Sequence, residues 1–107
     1  MKTLMRICCV LLPILGATQA AAQAYPAKTM RIIVAFPAGG PIDIVARMLA
    51  PKLSETMGQQ VIVDNRAGAN GAIGTEYVVK SPADGYTLYL ASPSAIAINP
   101  AVSKGAV

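Results

Sequence analysis

The sequence predicts an α/β domain in which strand, helix, strand, helix and strand follow one another and the strands lie parallel in one sheet. Three observations carry this. Two hydrophobic periods alternate along the chain, one suited to strands and one to helices. The strand segments are near-continuous apolar runs, the pattern of strands covered on both faces. The connections are short, which implies right-handed crossovers between parallel neighbours.

The first strand is Met30 to Phe36, β-branched and nearly all apolar, bounded by Pro37 and Gly39-Gly40. Pro41 to Met57 has helical spacing, with Ile42, Val45, Leu49, Leu53 and Met57 as its apolar stripe and Asp43, Arg47 and Lys52 facing away or flanking it. Pro41 suits the first turn, where a missing N–H costs nothing. Gly58 is a natural stop. Pro51 removes one backbone bond and is expected to bend the helix near Arg47. Val61 to Asp64 is the second strand, and Asn65 to Asn70 has turn chemistry. Ala72 to Lys80 reads as a helix with Ile73, Tyr77 and Val78 inward, and Ser81 to Gly85 as a turn. Tyr86 to Ala91 is the third strand, and Ser92 to Val107 is weakly patterned, with room for one helical turn around Ala95 to Asn99.

The N-terminal segment stands apart. Lys2 and Arg6 precede an uncharged apolar run, Ile7 to Ala17, which is followed by small residues ending in Ala22-Gln23-Ala24. That is the three-part pattern of a secretory signal peptide, with cleavage after Ala24 or, alternatively, after Ala22. The run is too short to span a membrane as a helix. Both cysteines of the 107-residue chain, Cys8 and Cys9, lie inside it. The mature part therefore has no disulfide, thiol nucleophile or thiolate metal site. Removal of Lys2 and Arg6 lowers the formal charge from +4 to +2. The remaining basic residues are dispersed among acids, so no nucleic-acid partner is expected.

Catalysis has few candidates. The chain has no His. Its serines lack the setting of a nucleophile elbow, and its carboxylates show no metal-ligand spacing. No catalytic residue, metal or cofactor is expected. The turns after the strands offer binding chemistry instead. Phe36 to Pro41 ends at a helix N-terminus, where free N–H groups and the helix dipole favour an anion; the same residues also make a plain strand-to-helix turn. Asp43, in the first helical turn, complements the dipole or contacts a ligand. Gly68 to Gly74 has glycines at steps of three and follows the second strand, which does not fit the dinucleotide fingerprint. These two turns and Ser92-Pro93-Ser94 should open on one edge of the sheet, where ligands of parallel sheets bind. Phe36 and Tyr89 sit near strand ends, within reach of a ligand there.

With these residues in view, the chain resembles the Bug family of periplasmic solute-binding proteins, the extracytoplasmic receptors of tripartite tricarboxylate transport systems. The resemblance rests on Tyr25-Pro26, on IIVAFPAGGPIDIVAR (32–47), on GQQVIVDNRAGANGAIG (58–74) and on PADGYTL (82–88), and runs to about residue 101. It implies a type II periplasmic binding fold, two α/β lobes that close on a small carboxylated solute and deliver it to membrane transporter subunits. Carried over by motif, the ligand cradle includes Phe36, Ala38, Gly39, Gly40 and Asp43; by position at strand ends it adds Asn70, Gly71, Ser92 and Ser94. Family solutes include dicarboxylates, tricarboxylates, amino acids and aromatic acids.

Family members are about three times longer on the domain-size scale, and after Asn99-Pro100-Ala101 the pattern fades. The expectation is therefore a truncated βαβαβ portion of the first lobe over residues 25–107, behind a signal peptide at 1–24. It should be marginal alone and expose an apolar patch. The alternatives are a small anion- or nucleotide-dependent enzyme using the Gly-rich turns, and a non-functional remnant of a disrupted gene.

Overall fold

A computed structural model describes residues 24–102. Residues 1–23, which hold both cysteines and all but the last residue of the expected signal peptide, and the last five residues lie outside it. The strands are β1 (Met30–Val34), β2 (Val61–Asn65) and β3 (Thr87–Leu90), and the helices are α1 (Pro41–Met57) and α2 (Ala72–Lys80). A single 3-10 turn, Ala69–Gly71, leads into α2. A π-helical stretch, Ser94–Ile98, runs into the short helix α3 (Asn99–Val102). The sheet order is β2-β1-β3, and both pairings are parallel. Element order and strand direction match the sequence prediction. β1 is two residues shorter than expected because Ala35 and Phe36 bend away from the strand, and β3 loses one residue at each end.

β1 is the central strand and the most buried element; Ile33 and Val34 are wholly enclosed. Alternation puts Met30, Ile32 and Val34 on the face covered by α1, in register with Val61 and Val63 of β2 and with Leu88 and Leu90 of β3. Ala46 and Ala50 press on that face from α1, with Leu53 and Met57 beside them. The opposite face is not continuously apolar, contrary to the expectation from the strand sequences. Arg31, Asp64, Thr87 and Tyr89 stand there in register with Ile33 and Ile62. Asp64 pairs with Arg66 at 3.1 Å and with Arg31 at 3.6 Å. Arg66 lies 3.6 Å above the ring of Tyr77, and Thr75 and Tyr89 share a 2.7 Å hydroxyl contact. Tyr89 is thereby held against α2 rather than at the ligand edge.

Both helices bury part of the face expected: Ile42, Leu53 and Met57 of α1 pack on the core and Tyr77 and Val78 of α2 are half-buried, but Val45, Leu49 and Ile73 are not inside. The inward line of α1 is Asp43, Ala46, Ala50, Leu53 and Met57, with Ile42 beside it; Ala46 and Ala50 stand one position round from the expected Val45 and Leu49. Val45 and Leu49 are exposed, together with Ile44 and Met48. Small residues win because alanines let the helix axis approach the sheet. Asp43 can lie inside because every oxygen of its carboxylate is bonded, as shown below. α1 continues through Pro51 to Gly58, whose left-handed backbone lets its N–H bond the Ser54 carbonyl. In α2 the buried residue is Gly74, while Ile73 is exposed and folds back over Gly68.

Candidate functional site: a cleft at the strand ends

The carboxyl ends of the three strands converge. The turn Phe36 to Gly40 leaves β1, Asn65 closes β2, and Ala91-Ser92 leaves β3. Between the first and the last lies a cleft of about 370 Å³, lined by Phe36, Pro37, Gly40, Pro41, Ile42, Ser92 and Ser94. Its walls are mostly apolar, and no charged side chain among the described residues lines it. Two polar features face the lumen. One is the start of α1, where Pro41 has no N–H and the Ile42 and Asp43 N–H groups precede the first intrahelical bond, Ile44 N–H to the Gly40 carbonyl. The other is the Ser92–Ser94 pair, with hydroxyls 2.8 Å apart. Ser92 is buried, and its side-chain and backbone oxygens both accept from the Ala95 N–H, which starts the helical stretch that follows.

The Phe36–Gly40 turn is fixed from beneath. Asp43 is 2% exposed. Its Oδ2 accepts from the Gly39 N–H at 2.8 Å and from Arg47 Nε at 2.9 Å, and its Oδ1 accepts from Asn65 Nδ2 at 2.9 Å. The Arg47 guanidinium, then the Gly39 amide and then Asn65 hold the carboxyl down at about 2, against an ordinary 3.8. Charge-assisted bonds of this kind favour the ionised form over the burial that opposes it.

Among the residues expected from the sequence, Phe36, Gly40, Ser92 and Ser94 meet in this cleft. Ala38 and Gly39 form the exposed crest of the turn beside it; Gly39 has a positive φ of 86° and its N–H is occupied by Asp43. Asp43 itself lies under the turn. Asn70 and Gly71 are not part of the lining. Asn70 is exchanged with Asn99 in two hydrogen bonds. Gly71 is buried behind Phe36, against Ala35 and Ala95. Sequence reasoning missed Arg47, taken as an outward charge, and Asn65, taken as the start of a turn. The four-residue step from Asp43 to Arg47 was a usable signal.

A larger hollow of about 530 Å³ runs between α1 and β2, lined by Arg47, Ala50, Pro51, Ser54, Gln60 and Val61 to Val63. It follows the flank of an edge strand and not the strand ends. Convergent strand termini and a helix start identify the smaller cleft as the better site in a parallel sheet.

Comparison with known proteins fits this geometry. The family described as "Tripartite tricarboxylate transporter family receptor" matches residues 45–105. Protein BugT of Bordetella pertussis (strain Tohama I) is 53% identical over 79 residues, covering 74% of this chain and 24% of BugT. A solved periplasmic transporter superposes with a TM-score of 0.70 at 46% identity, over 73% of this chain and 26% of its own. R. palustris Rpa4515, solved with adipate, gives 0.64 at 43% identity, over 65% and 23%. The chain thus spans about a quarter of the length of these relatives, and its parallel three-stranded sheet is a portion of a periplasmic-binding-protein fold. By its match over residues 45–105, the chain belongs to the tripartite tricarboxylate transporter receptor family.

Proposed function

We propose that the cleft is one side of the solute site of a periplasmic receptor that takes a small carboxylated solute and delivers it to a tripartite membrane transporter, without chemistry on the solute. The observation that carries this reading is the pairing of the α1 start with the Ser92 and Ser94 hydroxyls across one apolar-walled cleft. Neutral donors and a helix dipole favour a carboxylate, and Phe36, Pro37, Pro41 and Ile42 suit a hydrocarbon body. The volume lies within the range of roughly 300–1,000 Å³ usual for small-molecule sites. The adipate in the Rpa4515 structure is a solute of this chemistry. The opposing wall would come from a second lobe, as in the two-lobed fold implied by the family motifs. Export by the N-terminal segment belongs to the same proposal.

The enzyme reading is weaker. The second Gly-rich turn, its natural phosphate site, is closed: Gly71 donates its N–H to the Gly68 carbonyl and is buried against Ala95. The test is calorimetric titration of the full chain with adipate, citrate, glutamate and NAD. Heat with one or more acids and none with NAD is expected. Heat with NAD alone sinks the receptor reading in favour of the enzyme.

A further inference from the structure

We propose that Arg47 and Asn65 are positioning residues of the cleft: with buried Asp43 they form a closed polar ring that fastens the Phe36–Gly40 turn in its cleft-forming shape before any solute arrives. The functional meaning of the ring rests on the receptor reading above; the fastening itself rests on geometry alone.

The ring joins three parts of the chain. Asp43 and Arg47 come from α1, one helical turn apart, and Asn65 ends β2 opposite Val34 of β1. Asp43 bonds Arg47 Nε, Arg47 Nη2 donates to Asn65 Oδ1 at 3.1 Å, and Asn65 Nδ2 donates back to Asp43. The Asn65 amide has one sensible orientation, since its oxygen meets a guanidinium and its nitrogen meets acceptors. Two bonds then reach the turn. Asn65 Nδ2 also donates to the Phe36 carbonyl at 3.2 Å, and Asp43 receives the Gly39 N–H. Phe36 and Gly40, which line the cleft, thus lie on either side of a backbone pinned at its first carbonyl and its fourth amide. Pro37, Ala38 and Gly39 are exposed and have little packing to hold them. Without the ring, nothing polar in the described residues ties this crest to β2.

Among the described residues, Arg47 is the one charged group bonded to Asp43. The turn presents only an N–H and a carbonyl to the ring. On β2, Asp64 is turned to the opposite face, where it pairs with Arg31 and with Arg66, the residue after the strand. The protonation of the ring is therefore set within the ring, and a substitution there has a readable pH signature.

The test is amide hydrogen exchange of the full chain, with the turn amides read against those of Ile32 to Val34. Asn65→Asp replaces a donor to two acceptors by a second carboxylate facing Asp43. At pH 7 the turn amides should exchange about tenfold faster or more than in the parent, with the β1 amides unchanged. Near pH 4 the pair holds a shared proton, one donor returns, and the excess should shrink to about twofold. Asn65→Leu, which has no donor at any pH, should keep its excess at both. A structural role elsewhere would not produce that divergence, so equal pH responses in the two variants overturn the proposal. Should these half-buried variants fail to fold, Arg47→Gln at a half-exposed side chain serves instead. An excess of about threefold confined to the turn is expected, and parent-like exchange there overturns the proposal. Adipate titration of the same samples separates the two readings. Uptake by the parent, weakened in the variants, supports both. Failure of the parent to take up any of the acids tested above falls on the receptor reading alone, and the exchange data still decide the fastening.

Discussion

The two glycine-rich turns at the strand ends look alike in sequence and do opposite work. In the turn after β1, glycine supplies backbone freedom in the open: nothing lies within 4 Å of where a Gly39 side chain would start, and Gly40 meets only the Pro37 carbonyl, at 3.4 Å. Polar bonds from Asp43 and Asn65 hold that turn. In the turn after β2, Gly71 has a positive φ as well, but glycine there also supplies absence of volume. A Cβ on Gly71 would sit 2.8 Å from Ala95 Cβ, and one on Gly74 would sit 2.6 Å from Ala35 Cβ and 2.9 Å from the Arg66 carbonyl. Close packing holds that turn, together with the two Asn70–Asn99 bonds and the Thr75 hydroxyl on the Gly71 carbonyl. One region is a bonded rim around a cleft and the other is a buttress behind it. Glycine spacing does not distinguish the two; what surrounds the glycines does.

The sharpest way to break this contrast is Gly74→Ala. Gly74 is helical, so intrinsic propensity predicts that alanine stabilises by about 1 kcal/mol. The contact with the backbone just after β1, 2.8 Å from Ala35 Cα, predicts the reverse, because neither backbone can move without parting helix from sheet. Overpacking at such a site costs about 3 kcal/mol and should win. Urea unfolding of the two chains decides the sign, and a stabilised variant would remove the buttress from the account.

Acid should loosen the rim and spare the buttress. Asp43 titrates near 2 in the fold against an ordinary 3.8, held down first by Arg47. A depressed carboxyl contributes fully above the ordinary value and loses that contribution as pH falls through the folded one. Gly39 amide protection should therefore hold down to about pH 4 and fade towards pH 2, while Gly71, whose N–H bonds the Gly68 carbonyl, keeps its protection over the same range. Parallel loss at both glycines would mean that general unfolding, and not the Asp43 ring, controls the rim.

The sheet was legible in the sequence because its signal is local. Apolar β-branched runs and short connections specify parallel strands whatever surrounds them, and Met30, Ile32 and Val34 face the core as alternation requires. The helix faces were less legible. Counting large apolar side chains chose Val45 and Leu49, whereas packing against a sheet selected Ala46 and Ala50 and left the larger residues outside. The ring was hardest to read, since a buried Asp is disfavoured unless paired, and its partners here stand 4 and 22 residues away. Four of the nine expected site residues line the cleft because a strand end followed by a helix start is also a local signal. Asn70 was not separable from them, because its pairing with Asn99 depends on the tertiary fold.

The smallest expected effect is at the rim itself. Gly39→Ala meets no atom, so its whole cost is the left-handed backbone at φ 86°, about 1 kcal/mol. Because the Gly39 N–H reaches Asp43 only in that conformation, the cost has two ways to appear. If the ring is stronger than the backbone preference, alanine accepts the strained φ, the amide stays protected and the loss appears in the urea midpoint. If it is weaker, the turn relaxes, protection at residue 39 falls and the midpoint barely moves. The one bond at stake, the residue 39 N–H to the Asp43 carboxylate, is charge-assisted and worth about 1.5–3 kcal/mol, more than about 1 kcal/mol of backbone strain, so the first pattern is expected. Exchange and unfolding measured on the same variant distinguish them, and the second pattern would mean that the rim is held by glycine's freedom more than by the ring.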